Sequence, residues 1–422
     1  MSTLLARVTS PGLLRALSLC GCLGWLVGGA AFYATTQRLV VGDGVLLGRD
    51  FMAFYLAGSM VLNGDGPQLY DGEKQQAMQD AILAPESFEG LAYYINPAPL
   101  AVVYSLLAWM PYRWALQVNT ALMLAAYAAA LWLLLPHLKG LAPYGSVAAM
   151  VGLIWFPVIQ TITGGQNAAL TLLLLVWALV TTARGQQNRA GLALGLLLFK
   201  PQYALPFIGL LLLRRRWRTV AVSGAVGLGL YALGALACGW DWPLHMAQAL
   251  GGIYRQQERQ VSGYSHIALT EVVDFSIVQP LEALGLVAAA RAARLAAGGL
   301  VLMIIASLMW CWRRAEPSAP QFGLYWALVA AAILLISPHT QYYEVALLLL
   351  PVLLVLDHLA TTGRRLSDAQ RCGLIAAFVL YPFFDVARWI HFQPLIILPV
   401  WVALWAARLC RGSSCAESTR PG

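Results

Sequence analysis

Charge is what this chain has least of. Asp, Glu, Lys and Arg make up 11% of its 422 residues, while 60% of residues are hydrophobic; a soluble domain carries roughly 25% and 45–50%. With a mean hydropathy of +0.68, no water-soluble fold could hide that much apolar side chain, so the solvent is lipid. Length alone would suggest two or three soluble domains; one polytopic membrane unit spanning 1–422 is expected instead. Cysteine is sparse too, and the seven residues show no metal-type spacing, so neither a disulfide framework nor zinc is expected. No G-x-S-x-G, H-E-x-x-H, Walker-type or dinucleotide motif stands in a supporting context, which argues against ATP use and a soluble hydrolase domain. There is no internal repeat of fixed period and no low-complexity tract.

What is present is a series of apolar runs punctuated by arginine. The net charge of +8 comes mostly from short clusters such as RRRWR (Arg214 to Arg218) and GRR (Gly363 to Arg365). Nucleic-acid binding would need basic residues along one solvated face; these sit between apolar runs, as cytoplasmic loops do. Runs of near-bilayer length lie at about 12–36, 113–135, 143–161, 167–183, 218–238, 297–312, 321–337, 344–361, 371–387 and 392–410. The first follows Arg7 and Arg15 and is longer than a signal-peptide core, so it reads as an uncleaved membrane helix. Lys139, Arg184 with Arg189, Arg214 to Arg218, Arg313 with Arg314, and Arg364, Arg365 and Arg371 mark one side, the cytoplasmic one by the positive-inside rule.

Two segments need another reading. NPAPLAVVYSLLAWMP is too short between its prolines for a span and reads as an interfacial or re-entrant helix. Ala190 to Leu213 has arginines outside both ends and Lys200-Pro201 in its middle, which predicts a broken helix or a hairpin. The expected fold is thus an all-α polytopic membrane protein with about 10–12 transmembrane helices. A large first outer loop, about 39–112, carries juxtamembrane helices, and a second runs over about 239–296. The first loop is acidic from Leu39 to Tyr94. Within it EKQQAMQDAIL sets Ala77, Met78, Ala81 and Ile82 on one helical face, as a membrane-surface helix would.

With that topology GRDFMAFYLAG (Gly48 to Gly58), TGGQNAAL (Thr163 to Leu170), Lys200 and SPHTQYYEV (Ser337 to Val345) share the non-cytoplasmic side. Asp50 is the first candidate: a carboxylate near lipid is costly unless paired or facing water. Base or structural ion-pair partner are equally open for it. Lys200 at a helix break suits an anion. Gly164, Gly165, Gln166 and Asn167 either offer backbone and side-chain amides to a phosphate at a helix start or form a plain loop with a cap. His339 is a phosphate contact or an ordinary loop histidine. Arg49, Tyr70, Asp71, Tyr94, Arg255, Arg259 and Tyr342 are candidate substrate contacts; Asp71 reads equally as a turn residue before Gly72. Arg255, Arg259 and His266 are weak signals, since a solvated charged loop explains them.

Taken in order, RDFMAFYLAGSMVLNGDGPQLYD, YYINPAPLAVVYSLLAWMP, GGQNAALTLLLL, LALGLLLFKPQYALPFIGLLLLRRRWR and SPHTQYYEVALLLLP resemble glycosyltransferase family 87. That family is a branch of the GT-C membrane fold that includes polyprenyl-phosphate-mannose-dependent mannosyltransferases. YINP stands where the family has an aromatic-Tyr-x-Pro form. The resemblance implies that Asp50 is the catalytic base, and that Lys200, His339, Gln166 and Asn167 receive the donor phosphate. It implies inverting transfer of mannose, or another hexose or pentose, from a polyprenyl-phosphate donor to a glycan, glycolipid or lipid acceptor. No cofactor or metal is required on that reading, because Lys, His and amide donors supply the positive field. It places the protein in a bacterial inner membrane, with its site on the periplasmic face. Two competing classes remain at this stage. A lipid or sugar transporter explains the broken helix and intramembrane lysine equally well. An O-antigen ligase-like enzyme would lean on arginines such as Arg255 and Arg259.

Overall fold

The computed structural model describes residues 10–36, 38–42, 44–257, 265–379 and 386–417. It is an all-α polytopic membrane protein. Helix α1 (Pro11–Thr35) leads through a two-residue hairpin, β1 (Val40–Val41) and β2 (Val45–Leu46), to α2 (Arg49–Leu62). Next come α3 (Gly72–Leu83), α4 (Ala98–Ala108), α5 (Tyr112–Leu134), α6 (Gly145–Ile154), α7 (Phe156–Thr163) and α8 (Ala168–Ala183). The broken segment supplies α9 (Gln187–Leu196) and α10 (Pro201–Leu213), followed by α11 (Trp217–Cys238) and α12 (Trp242–Gln257). Then follow α13 (Leu269–Val273), α14 (Val287–Trp312), α15 (Phe322–Ile336), a 3-10 segment (Tyr342–Leu348), α16 (Leu349–Thr361), α17 (Asp368–Val379) and α18 (Ile397–Glu417).

Among the described residues six helices are long and apolar enough to cross a membrane, or seven if the bent pair α6–α7 counts as one span. The sequence expectation of about 10–12 is approached only by adding shorter apolar helices, α4, α8, α10 and α15. The breaks have proline causes. Pro157 follows Phe156, and the chain turns by 59° between α6 and α7. Pro201 forces Lys200 out of helical geometry, to φ −125° and ψ 77°, because its ring clashes with a helical residue before it.

Exposure separates lipid-facing helices from the core. Leu13, Leu17, Leu23, Leu26 and Val27 of α1 are exposed, as are Leu228 and Leu236 of α11 and Leu295, Leu302 and Met303 of α14. Such apolar faces are tolerated where lipid covers them. By contrast α15 is buried almost all round, with Trp326 stacked on Phe207 of α10 at 4.3 Å between ring centres. Helix α2 is also a core helix, every residue from Phe51 to Gly58 being buried. It packs on α4 through Phe54 stacked on Tyr104 at 4.8 Å. Gly58 allows that approach, since a Cβ there would lie 2.6 Å from the Tyr104 backbone.

One boundary changes, and the first-loop helix gains detail. The second outer loop does not run to 296: α14 begins at Val287 and takes Arg291 and Arg294 into its first turns. The alanine-rich run 288–298 favours helix, and Arg294 is held by Asp274 at 3.0 Å and Glu282 at 2.7 Å. The expected surface helix exists as α3: it turns Gln75, Gln79 and Leu83 to the protein and leaves Ala77 and Ala81 exposed. Gln75 exchanges hydrogen bonds with the Tyr94 backbone (2.9 and 3.1 Å), and Gln79 bonds Gly90 (2.8 Å) and Ala92 (2.9 Å). These amides act as a substitute strand for the extended 90–94 segment, whose backbone groups need partners once buried.

Sidedness can be tested on exposed positions. With the seven native cysteines replaced, Glu73→Cys should react with a membrane-impermeant maleimide on intact cells, and Thr362→Cys only after permeabilisation; the reverse pattern would invert the topology.

Candidate active site

Asp50 occupies the first turn of α2, where the helix dipole favours a carboxylate. Gly48 sets the helix start: it sits at φ +62°, and a Cβ there would meet Leu116 at 2.8 Å. The next residue, Phe51, donates its backbone N–H to Gly164 O at 3.1 Å, which ties the helix start to the turn between α7 and α8. Gly165, at φ +81°, lies so close to Phe51 that any Cβ would strike it. Asp50 itself is half-buried by solvent contact yet enclosed by protein. Burial pushes its carboxyl above the ordinary carboxylate range, while hydrogen bonding to Gln166 and the charges of Arg49 and Lys200 pull it back.

The loop 163–167 does not act as the sequence suggests. The amides of Gly164, Gly165 and Gln166 donate to Gln160 O (2.8 Å), Ile162 O (3.3 Å) and Thr161 O (2.8 Å). They close the end of α7 and are therefore committed, so no backbone phosphate cradle forms there. The side chains differ. Gln166 donates to Tyr343 Oη at 2.8 Å. Asn167 is 1% exposed, and neither its Nδ2 nor its Oδ1 has a hydrogen-bond partner among the described residues. Such an orphaned buried amide costs about 1–3 kcal/mol, which a bound polar group would offset.

Lys200 is not a solitary cation. Its Nζ lies 2.7 Å from Glu344 Oε1, both side chains are buried, and Tyr203 Oη donates to the other Glu344 oxygen. Sequence reasoning missed Glu344. The signal was available: a second charge beside an apolar run on the same expected side needs a partner as much as Lys200 does. Around this pair the 3-10 segment is bolted to α7 by Gln160 Nε2 to Tyr342 Oη (2.8 Å) and Thr161 Oγ1 to Tyr343 O (3.2 Å).

His339 joins a different group. It takes φ +58°, its N–H donates to Glu271 Oε1 at 2.8 Å, and its ring lies 5.7 Å from that of His266. Burial lowers its pKa to about 4. The other candidates make contacts within the protein. Tyr94 is fully buried with its hydroxyl on Pro97 O (2.8 Å), a core contact beneath α2. Tyr70 bonds Asn96 O at 2.9 Å. Asp71 is exposed and caps α3 through the Glu73 and Lys74 amides (2.9 and 3.3 Å). Arg49 is exposed, its guanidinium 5.8 Å from the centre of the Phe88 ring. The Arg255 side chain and Arg259 lie outside the described residues.

A carboxylate, a buried Lys–Glu pair and the unpartnered Asn167 carboxamide thus meet at one end of the bundle. Comparison with known families decides their context: a model of glycosyltransferase family 87 matches residues 94–338, more than half of the chain. The chain belongs to glycosyltransferase family 87. It is a membrane glycosyltransferase, and the transporter reading gives way to that assignment. No curated protein and no solved structure matches it. The matched stretch holds Gln166, Asn167 and Lys200; Asp50, His339 and Glu344 lie outside it.

The Lys200–Glu344 pair makes a direct forecast. Removing one partner strands a buried charge, at a cost of about 3–5 kcal/mol, whereas an apolar pair is often neutral. In detergent, Lys200→Met and Glu344→Gln should each lower the melting temperature of this glycosyltransferase, and Lys200→Met with Glu344→Leu should recover most of the loss. Additive losses in the double variant would show that the two residues do not depend on each other.

Proposed function

We propose that this glycosyltransferase moves a sugar, mannose or another hexose or pentose, from a polyprenyl-phosphate donor to a glycan, glycolipid or lipid acceptor on the non-cytoplasmic face. The observation that carries the reading is Asp50, a partly buried carboxylate in the first turn of α2, hydrogen-bonded to Gln166 and within the field of Lys200. A membrane enzyme working on the outer face has no nucleotide supply, so a lipid-carried donor fits the chemistry. A bacterial inner membrane and a periplasmic site belong to the same proposal.

The reaction is a single displacement. The acceptor hydroxyl oxygen attacks the anomeric carbon as Asp50 takes the hydroxyl proton. The bond from that carbon to the phosphate oxygen breaks, and polyprenyl phosphate leaves with the electron pair. Attack from the face opposite the leaving group inverts the anomeric centre. Lys200 gives one of its three N–H donors to Glu344, which leaves two that a donor phosphate would accept. Glu344 and Tyr203 hold that ammonium in place, so they are positioning residues. Asn167 offers its unpartnered carboxamide to a sugar hydroxyl or phosphate oxygen.

A base within reach of the acceptor hydroxyl contributes about 10²–10⁴-fold in rate. Asp50→Asn keeps the shape of the side chain but takes up no proton at neutral pH. Turnover should fall by about that factor, with melting temperature and monodispersity retained. If Asp50 only fixed the loop, the same preparation would lose stability and keep its turnover. The pH profile gives a second reading. Because burial raises the Asp50 pKa, the base form is lost on acidification earlier than for an ordinary carboxylate. The acid limb of kcat/KM should therefore bend above the usual carboxylate range; a limb at or below that range would argue against Asp50 as the base.

A further inference from the structure

We propose that His266, Glu271 and His339 form a binding site for one divalent transition-metal cation, with zinc the best fit. One ligand atom from each residue lies within 4.8 Å of the others. A tetrahedral zinc ion with bonds of about 2.1 Å needs its ligand atoms about 3.4 Å apart, so the three side chains close on the ion through small rotations. Two imidazoles and one carboxylate are a donor set of catalytic zinc sites, which keep a fourth position open.

The three residues come from separate elements, and the fold spends several interactions on holding them together. His266 pairs with Gln341 in an isolated antiparallel bridge, and Ile267 N–H donates to Thr340 O at 2.9 Å. These contacts lay the segment before α13 alongside the turn after α15. Glu271, on the first turn of α13, then accepts the His339 N–H at 2.8 Å and stands 3.8 Å from His339 Nδ1. His339 adopts a left-handed backbone at φ +58°, a conformation that costs a non-glycine residue about 1–2 kcal/mol. Strain of this kind gathers where a side chain must be aimed. The Gln341 Nε2 lies 3.1 Å from His266 Nε2 and fixes the orientation of that ring.

The site lies five residues along the chain from Glu344 and on the same segment as Tyr342 and Tyr343. Resting on the donor assignment above, the open position is where a phosphate oxygen would bind, adding positive charge where Lys200 is balanced by Glu344. Metal binding itself is measured without donor or acceptor, so failure of one reading is distinguishable from failure of the other.

The test uses the full chain in detergent, stripped with a chelator and titrated with Co²⁺ as a spectroscopic stand-in for zinc. Binding should saturate at one ion per chain, with visible d–d bands of tetrahedral intensity and no ultraviolet thiolate-to-cobalt band, which sets it apart from capture by the free cysteines. Zn²⁺ should displace the Co²⁺ and raise the melting temperature. Glu271→Gln and His339→Gln, each checked for an unchanged elution profile, should lose the bands. Wild type with no such bands, or bands that persist at full strength in both folded variants, would overturn the proposal.

Discussion

A lysine ammonium placed in the middle of an apolar helix pair needs a counter-charge, and the arrangement of this end of the molecule follows from meeting that need. Lys200 stands where Pro201 breaks the segment into α9 and α10, and Glu344 stands in the 3-10 segment that opens α16. Their 2.7 Å contact fastens the two together. The desolvation cost of such a pair is several kcal/mol per ion before attraction repays it, so it holds only with good geometry and added hydrogen bonds, of which Tyr203 supplies one. Moving either element would strand a charge in an apolar interior.

From that anchor the rest of the site is located by short polar links. Tyr343, beside Glu344, receives Gln166, and Gln166 in turn contacts Asp50. Phe51 binds Gly164, so the start of α2 cannot shift relative to the turn that carries Gln166 and Asn167. Ser337 Oγ reaches Gln202 O at 2.9 Å, and Thr340 lies beneath Tyr203. The buried helix α2 carries Asp50 and the buried helix α15 ends at Ser337, while α1, α11 and α14 give their exposed apolar faces to lipid. Rigid core elements thus hold the polar groups, and lipid-facing elements enclose them.

Much of this architecture was legible in the sequence. Apolar length located α1, α5, α8, α11, α15 and α18, because hydrocarbon thickness sets a minimum run. The Lys200 break was legible because proline restricts the residue before it. Asp50 stood out as a carboxylate in a chain with few charges. Tertiary choices were not legible. Glu344 pairs with Lys200 across 144 residues, and no local pattern records which charge answers which. The TGGQNAAL loop has the composition of a phosphate cradle, yet its amides are consumed in closing α7, which only the path of the chain decides. Nor does periodicity record that Gln75 and Gln79, on the other face of α3, are buried to satisfy a neighbouring backbone. The extent of α14 was missed because charge was read as a loop signal in a run whose alanines favour helix.

Whether these groups meet one substrate is open to direct observation. An electron cryomicroscopy structure of the full chain in lipid nanodiscs, with a non-hydrolysable polyprenyl-phosphonate sugar, would locate the donor. The phosphonate should lie within hydrogen-bond reach of Lys200, with the anomeric carbon turned towards the space in front of the Asp50 carboxylate. A donor seated elsewhere, with Asp50 walled off from its sugar by protein, would contradict the assignment of this end of the bundle as the site of transfer.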